Sequence, residues 1–264
     1  MSNLIIDPIN FPLSHETTTN TSALHLDGSG DYLNVADDDT LSFADATDGN
    51  DVNLPFSMGL WIKKDTATAS DCILCKGSNS GSTLEYRIFQ GQSRIYMDLC
   101  DGNASSGNDY QRIYWNNATT AWQHVVITHD GDQSGIGGGG TKLYINGSAV
   151  SMASSGGADD DGMENMGGVL RIGQMQSSST YTHAGEMCQL ILWKQYALSQ
   201  AEVTYLYAGG AAHRNPLIPA PTYSGHNKVT LWMPLQGDLD DASGNSNDGT
   251  AVGNAALSSS TVPF

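Results

Sequence analysis

Short segments that place apolar residues at every second position recur along the chain, and turn-forming residues separate them. One covers residues 55–64. Another covers 141–150, where Asn146-Gly147 lies between two apolar runs and gives the strongest short-range signal for a β-hairpin. Further strands are predicted at 84–89, 94–99, 111–115, 121–129, 169–173 and 186–193. Because a strand with one apolar face must bury it against another element, so many strands predict two packed antiparallel sheets.

Only one segment has the signals of a helix. Ser199 and Glu202 have the spacing of a capping box, Val203 and Leu206 give one apolar face, and Gly209 follows as a terminator. The predicted fold class is therefore all-β: a two-sheet antiparallel jelly-roll sandwich with one short helix. A chain of 264 residues is long enough to bury the core of one such domain without disulfide bridges.

The charge balance argues against several classes of partner. The chain has 28 acidic and 11 basic residues and a formal net charge of −17, so neither nucleic acid nor an anionic membrane is an expected partner. No run of roughly 18 apolar residues is present, so no membrane-spanning helix is expected. The first residues, MSNLIIDPINFPLSHETTT, lack the basic region and the long apolar core of a secretory signal. We therefore expect a protein that is made in the cytosol and that could leave the cell only by a route other than a secretory signal peptide.

Two of the four cysteines, Cys72 and Cys75, form a C-x-x-C pattern of the kind that occurs in zinc sites and redox pairs. No second such pattern completes a zinc site, and the context DCILCK alternates like a strand. Residues three apart on a regular strand point to opposite faces, so these two thiols are expected to lie apart. All four, with Cys100 and Cys188, are predicted to be buried, reduced thiols.

Five segments, in this order, resemble those of laminin-G-like, concanavalin-A-like sandwich domains. They are ALHLDGSGDYLNVADDDTLSF, FSMGLWIKKD, WQHVVITHDGD, TKLYINGSAV and GEMCQLILWKQYALSQAEVTYLY. Each motif is unspecific by itself, whereas five in sequence are specific. The resemblance covers residues 23–209 and implies the same sandwich that the strand pattern predicts.

The C-terminal segment LWMPLQGDLDDASGNSNDGTAVGNAAL follows the helix, whereas in the family a similar segment precedes the first of the five motifs. The resemblance thus predicts a circular permutation, in which residues 229–235 and 249–253 pair in a sheet and Phe264 lies near residues 22–24. A truncated second domain and a strand swap with a neighbouring subunit are the alternatives. The predicted domains are an N-terminal arm (1–22), the sandwich (23–209), a Pro-rich connection (210–227) and C-terminal strands (228–264) completing its own or a neighbouring sandwich.

The same resemblance suggests calcium as a candidate cofactor. Relatives hold the ion on the Asp and Asn residues of a turn like this one, which here are Asp241, Asn245 and Asn247. A turn without metal would use the same residue types, because Asp, Asn and Gly all favour turns. In addition, the closing strand begins Gly185-Glu186 and lacks two acidic residues of the family pattern, one of which often joins the ion. Both interpretations stay open at this stage.

Catalysis is not expected, and no residue is assigned a catalytic role. Sandwich glycosidases carry paired acids in the pattern E-x-D-x-x-E on one strand. None of the glutamates of this chain falls in that pattern, and these are Glu16, Glu85, Glu164, Glu186 and Glu202.

Sugar binding requires exposed aromatic side chains with polar neighbours. The candidates in or near predicted loops are Tyr110, Tyr114, Trp115, Tyr181 and Tyr223. Most of the tryptophans are expected in the core instead, because they lie in strand patterns: Trp61, Trp122, Trp193 and Trp232.

Two functions are compatible with these features. The first is a non-enzymatic structural or attachment protein on a virion surface, such as a capsid decoration, knob or tail-associated protein of a bacteriophage that binds host-surface glycans. In this hypothesis lysis supplies the route to the outside, and the apolar residues of segment 1–20 dock on other virion proteins or on further copies of the chain. The alternative is an extracellular carbohydrate-binding or adhesion module of a cell.

Overall fold

The computed structural model describes residues 17–18, 21–44, 53–67, 69–78, 82–102, 110–131, 140–154, 163–176, 181–210 and 213–259. The strands are β1 Thr17–Thr18, β2 Ser22–Asp27, β3 Tyr32–Val35, β4 Phe56–Lys64, β5 Asp71–Lys76, β6 Leu84–Gly91, β7 Arg94–Gly102, β8 Tyr110–Asn116, β9 Gln123–His129, β10 Thr141–Ile145, β11 Ser148–Val150, β12 Ala153–Ser154, β13 Leu170–Ile172, β14 Ala184–Lys194, β15 His213–Arg214, β16 Val229–Met233, β17 Gly249–Val252 and β18 Ala256–Ser259. The α-helix, α1, is Gln200–Tyr207, and short 3-10 turns lie at Asp39–Leu41, Ala208–Gly210 and Gly225–Asn227.

The strands form two eight-stranded antiparallel sheets. The first sheet has the order β11-β10-β9-β4-β14-β2-β18, and β16 also pairs with β14. The second sheet has the order β12-β8-β7-β6-β5-β13-β3-β17. A separate two-stranded sheet joins β1 to β15. The sandwich of two antiparallel sheets with one short helix, which the sequence predicts, is confirmed.

Successive side chains of a strand point to opposite faces of its sheet, and the apolar side chains on the inner faces form the main core between the two sheets. On β9, Val125 and Ile127 point into this core, whereas Val126 between them points to the outer face of the first sheet. The hairpin predicted at Asn146-Gly147 joins β10 to β11, and both of these residues have positive φ angles, as a tight two-residue hairpin requires. The strands therefore bury one face between the sheets and leave the other face to a second layer or to solvent.

Helix α1 covers the outer face of the first sheet. It begins with the predicted capping box, in which Ser199 and Glu202 bond to one another's backbone N–H groups. Val203 and Leu206 pack with Trp193 and Trp232 of the sheet in a second apolar cluster. In the described ranges, no helix has both the length and the hydropathy that a membrane crossing requires.

The described C-terminal strands lie in the same sandwich as the rest of the chain. Strand β16 extends the first sheet beside β14, β17 pairs with β3 at an edge of the second sheet, and β18 pairs with β2 at an edge of the first. Strands β16 and β17 thus lie in different sheets, so the prediction that residues 229–235 and 249–253 pair in one sheet is wrong: β16 pairs with β14 and β17 with β3. The register places Ser259 opposite Ser22. The predicted position of Phe264 lies outside the described residues, and the circular permutation stays a prediction.

The prediction that the side chains of Cys72 and Cys75 point to opposite faces of their strand is wrong. The pairing of β5 with β6 shifts register between Cys72 and Leu74, so a β-bulge adds one residue to the strand and turns both thiols to the same face. They lie in one cluster with Cys100 and Met175. All four cysteines are free and buried, as predicted.

Candidate ligand-binding face

The outer face of the second sheet carries three aromatic side chains in line across three neighbouring strands. Tyr114 of β8 lies opposite Tyr96 of β7, which lies opposite Phe89 of β6. The rings of Phe89 and Tyr96 stack with centroids 5.0 Å apart, and those of Tyr96 and Tyr114 are 5.7 Å apart. All three side chains are half-buried. We call this set the aromatic row.

A second line of side chains runs beside the aromatic row. On β6, β7 and β8 each of its residues is two positions away from the aromatic residue of the same strand. Arg112 of β8 lies opposite Asp98 of β7, and Asp98 lies opposite Arg87 of β6. The line continues through Cys75 of β5 to Arg171 of β13. We call these five residues the arginine row.

Asp98 fixes the two arginines that flank it. Its Oδ1 accepts from Arg112 Nε at 2.6 Å, and its Oδ2 accepts from Arg112 Nη2 at 2.8 Å and from Arg87 Nε at 2.6 Å. The Asp98 side chain is completely buried, whereas 21% of the Arg112 side chain is exposed. The negative charge is therefore covered by the guanidinium groups, and positive charge faces outward.

The guanidinium groups also contact the aromatic rings. Arg112 Cζ lies 4.6 Å from the ring centroid of Tyr110, 5.1 Å from that of Phe89 and 5.4 Å from that of Tyr96. The exposed Arg94 lies 4.4 Å from the centroid of Tyr114. These are cation–π distances, so the two rows form one continuous surface of flat rings and N–H donors.

The family model for the concanavalin A-like lectin/glucanases superfamily matches residues 25–204 of the chain. The chain belongs to this superfamily. No curated protein matches the sequence.

Two solved structures show the same superfamily fold. A native heptameric SAP-like pentraxin from Limulus polyphemus has a TM-score of 0.57 at 14% identity, with 94% of this chain and 99% of the pentraxin covered. A proposed carbohydrate-binding protein from Bacteroides ovatus has a TM-score of 0.55 at 18% identity, with 92% of this chain covered. The match spans 60% of the Bacteroides chain. At these identities the likeness concerns the fold.

The aromatic candidates from the sequence occupy different places in this superfamily domain. Tyr110 and Tyr114 lie on the outer face of the second sheet. Trp115 is 4% exposed and lies in the main core, because it neighbours Tyr114 on a strand and points to the opposite side. Tyr181 is 39% exposed and lies just before β14, where its carbonyl accepts from the Met175 N–H. Tyr223 is 1% exposed beneath the helix, where its hydroxyl donates to the Pro216 carbonyl. Trp115 and Tyr223 are therefore not surface ligand candidates.

Five residues of this face were not predicted as site residues from the sequence: Phe89, Tyr96, Arg87, Arg112 and Arg171. A signal for most of them is present in three consecutive strands, which read RIF, YMD and RIY. In each, the middle residue points into the core and the outer two point to the surface. Recognising the rows additionally requires the register that brings these three triplets side by side.

The turn that suggested calcium is closed by hydrogen bonds within the protein. Asp241 Oδ1 accepts from the backbone N–H groups of Trp232 and Ser243, each at 2.9 Å, and its Oδ2 accepts from the Asn247 N–H at 3.1 Å. The side-chain amides of Asn245 and Asn247 both donate to the Thr230 carbonyl. The structure brings the three predicted residues together, with the Asp241 carboxylate and the side-chain NH2 groups of Asn245 and Asn247 engaged within the protein.

A calcium ion takes about six to eight oxygen ligands, which is more than this turn leaves free. Among the described residues, no group of three or more His, Cys, Asp or Glu side chains is placed to hold a metal ion. The residues of the turn therefore do not fit a calcium site well, and calcium stays an untested prediction.

A groove of about 500 Å³ lies between the β10–β11 hairpin and helix α1. Gln200 and Thr204 of the helix both donate to the Gly147 carbonyl, and the Asn146 side chain accepts from the His124 N–H. These polar groups hold the hairpin against the helix. The groove therefore offers a ligand fewer free donors than the arginine row does.

Glu85 has the most strongly perturbed carboxyl group near the second sheet. Burial raises its pKa to about 7, although Lys76 Nζ at 3.0 Å favours the ionised form. The same carboxylate accepts from the Met166 N–H, and Lys76 donates to the Gly168 carbonyl. These contacts hold the segment before β13 against β5 and β6, so we assign Glu85 a structural role.

Proposed function

We propose that the chain is a carbohydrate-binding module and that the outer face of its second sheet binds the ligand. The observation that carries the proposal is the aromatic row beside a row of guanidinium donors. Sugar rings present C–H groups on their faces and hydroxyl groups around their edges. A surface of flat rings next to fixed N–H donors can contact both at once. The described function of the Bacteroides ovatus protein supports the same assignment.

The roles of the residues follow from their positions. Tyr96 and Tyr114 would stack on sugar rings, and Arg112 would donate hydrogen bonds to the edge of a sugar. Asp98 would act as a positioning residue, because it holds Arg112 through two hydrogen bonds and so lowers the entropy lost when the ligand binds.

We propose binding without catalysis. Three described glutamates have structural contacts: Glu85 pairs with Lys76, Glu186 with Lys63, and Glu202 caps α1. This use of the carboxylates supports a module that recognises a glycan and leaves it intact. Prolonged incubation of the protein with each bound glycan, followed by product analysis, tests this part, and released sugars would contradict it.

Binding of the purified chain to a glycan array tests the proposed function. Tyr114→Ala and Tyr96→Ala should each weaken binding by up to about tenfold, since stacking on an aromatic ring contributes about 0.5–1.5 kcal/mol beyond the area that it buries. Tyr205→Ala is the matched control, because Tyr205 is a half-buried tyrosine of α1, which covers the outer face of the other sheet. Circular dichroism and melting temperatures must show that each variant is folded. Unchanged binding by folded Tyr96→Ala and Tyr114→Ala would contradict the location of the site.

We further propose the surface of a bacteriophage virion as the setting, with host-surface glycans as ligands and other virion proteins or further copies of the chain as partners of segment 1–20. The acidic composition, the recognition fold and the apolar N-terminal segment support this proposal. Mass spectrometry of purified particles tests it, together with inspection of the neighbouring genes for capsid, portal and terminase proteins. A gene set for export and cell-wall attachment would favour the alternative, an extracellular module of a cell.

A further inference from the structure

The arginines of this acidic chain are unevenly placed. The chain has five, and four of them lie on the strands of the second sheet: Arg87, Arg94, Arg112 and Arg171. Only Arg214 lies elsewhere, where it packs on Tyr205. The chain as a whole has a net charge of −17. At physiological ionic strength the Debye length is about 8 Å, so distant acidic groups are largely screened from a ligand on this face.

We infer that the ligand of this face is an acidic glycan that carries carboxylate groups, an inference that rests on the proposed function. Guanidinium groups match carboxylates in geometry, because their parallel N–H donors meet both carboxylate oxygens. A neutral sugar would leave the excess positive charge of the row unpaired. The arginine row contains three guanidinium groups and one carboxylate, that of Asp98, and it therefore favours an anionic ligand.

The guanidinium groups retain donors for such a ligand. Each has five N–H donors. Arg112 uses Nε and Nη2 on Asp98, and Arg87 uses Nε on Asp98. At Arg171, Nη1 donates to Gln174 at 3.0 Å, whereas Nε is buried and has no hydrogen-bond partner among the described residues. Arg87 is only 7% exposed, and its Nη1 donates to Met175 Sδ at 3.8 Å. The donors within reach of carboxylate oxygens are therefore those of the partly exposed Arg112 and Arg171 and of the exposed Arg94.

The Arg112–Asp98–Arg87 cluster is not explained well by a contribution to the stability of the fold. Removing an aspartate and two arginines from water costs several kcal/mol per ion, and apolar residues of similar size are often as stabilising. A cluster that leaves 21% of the Arg112 side chain exposed instead provides oriented positive charge at the surface.

The spacing of the row favours an extended ligand. Arg112 and Arg87 are two strands apart, and so are Arg87 and Arg171. Neighbouring strands are about 4.8 Å apart, so successive arginines follow at intervals of about 10 Å. The two partly exposed arginines of the row, Arg112 and Arg171, are four strands and thus about 20 Å apart. An oligosaccharide with several acidic sugars can reach both, whereas a single acidic monosaccharide cannot.

A comparison of matched acidic and neutral glycans tests this inference. Polygalacturonate, alginate, hyaluronate and sialylated oligosaccharides would be measured beside their methyl-esterified or carboxyl-reduced forms, with heparin as a sulfated probe. We expect binding to at least one carboxylated glycan and at least a tenfold loss when its carboxyl groups are esterified or reduced. Binding that survives the loss of the carboxyl groups, or that requires sulfate, would overturn the inference.

Arginine variants give a second, independent readout. Arg112→Gln should weaken binding of the carboxylated glycan at least tenfold, and Arg112→Lys should weaken it less. Arg214→Gln is the matched control and should bind normally. Arg112→Gln leaves the buried Asp98 carboxylate with one partner fewer. The double variant Arg112→Gln/Asp98→Asn removes that charge as well, and Arg94→Gln changes an exposed arginine, so both should keep the fold. Normal binding by all three folded variants would overturn the inference.

The outcomes also separate this inference from the proposed function. If a neutral glycan binds, and Tyr96→Ala weakens binding while Arg112→Gln does not, the carbohydrate-binding function stands and the acidic ligand is wrong. If the wild-type protein binds no glycan of any class, the proposed function fails and the inference fails with it.

Discussion

At the scale of single residues, His124 shows how burial controls the charge of an ionisable group. Its ring lies 5.2 Å from that of Trp61 and 5.9 Å from that of Tyr207, and its Nδ1 has no hydrogen-bond partner among the described residues. Burial lowers the pKa of His124 from 6.5 to about 3. The imidazole is therefore neutral in the folded protein at pH values at which the unfolded chain already binds a proton.

This difference predicts a loss of stability in acid. The unfolded state takes up a proton near pH 6.5 and the folded state only near pH 3, so the contribution of His124 is full above pH 6.5 and falls as the pH decreases to about 3. Between pH 7.5 and pH 5 the loss amounts to about 2 kcal/mol. In His124→Phe, urea unfolding should show a smaller loss over the same range, by about that amount.

The control for His124→Phe is His25→Gln, because His25 lies on the exposed side of β2. This variant should retain the acid sensitivity of the wild-type protein. Equal pH dependence of wild type and His124→Phe would show that the buried imidazole is not the cause.

Removal of calcium should leave the stability almost unchanged. The Asp241 carboxylate already accepts backbone N–H groups from three residues, so the turn is closed without an ion. We expect melting temperatures in EDTA and in added calcium to agree within a degree or two. A clear rise with calcium that disappears in Asp241→Asn would contradict this expectation and establish a calcium site.

The neighbours Tyr114 and Trp115 show what the sequence can and cannot predict at this scale. Alternation on β8 predicts that the two side chains point to opposite faces, and they do. It does not say which of the two faces is the core. That depends on the residues of β6 and β7 across the sheet, which are distant in sequence.

At the scale of secondary-structure elements, strands and the helix could be predicted because their signals are local. The alternation of apolar and polar residues predicted β4, β9 and β10, and the capping box predicted α1. The bulge in β5 and the register of β6, β7 and β8 could not be predicted in the same way. Both depend on hydrogen bonds between segments, and a shift of one residue reverses the face to which every later side chain points. The arginine row was missed for this reason.

The N-terminal arm is an element whose removal should spare the fold. In its described part, β1 pairs with β15 in a small sheet of its own, outside the two sheets of the sandwich. Deletion of residues 2–20 should therefore give a protein with a nearly unchanged melting temperature and with weaker self-assembly or docking. Burial of each large apolar side chain of the arm on a partner would contribute about 1.5–3 kcal/mol.

Analytical ultracentrifugation of the full chain and of the deletion variant measures assembly. Replacing Ile5 and Ile9 by Ser gives a control that keeps the chain length and should also weaken assembly. An arm deletion that unfolds the monomer would show that the arm belongs to the core of its own domain.

At the scale of the whole molecule, the two outer faces of the sandwich differ in what lies on them. The first sheet is covered by α1 and by apolar residues of the connection before β16, including Leu217 and Tyr223. The outer face of the second sheet carries the two rows. Because each face is built from alternate residues of the same strands that form the core, the fold holds the rows rigidly on one side of the molecule.

The whole-molecule arrangement also makes the permutation testable. A short Gly/Ser linker from residue 264 to residue 22, with new ends between Pro216 and Pro221, should give a folded domain in the family's usual strand order. The register of Ser259 opposite Ser22 leaves only a short gap to close, so stability should change by about 1 kcal/mol. Urea unfolding measures this change.

A permutant opened within β14 is the control and should not fold, because β14 is the strand that joins β4, β2 and β16. If the permutant opened between Pro216 and Pro221 also fails to fold, the permutation hypothesis is wrong. If it folds only as a dimer, the C-terminal strands are exchanged between chains.

The pairing of β18 with β2 has a mechanical consequence. Ser22 begins β2, Ser259 ends β18, and the two residues lie opposite one another, so the chain enters β2 and leaves β18 at the same end of one strand pair. Tension applied between them would load the hydrogen bonds of this pair one after another, beginning at Ser22, instead of all together in shear. The sandwich would therefore open at low force when pulled through both ends. A molecule anchored through its N-terminal side alone would carry the load of a bound glycan without peeling this edge.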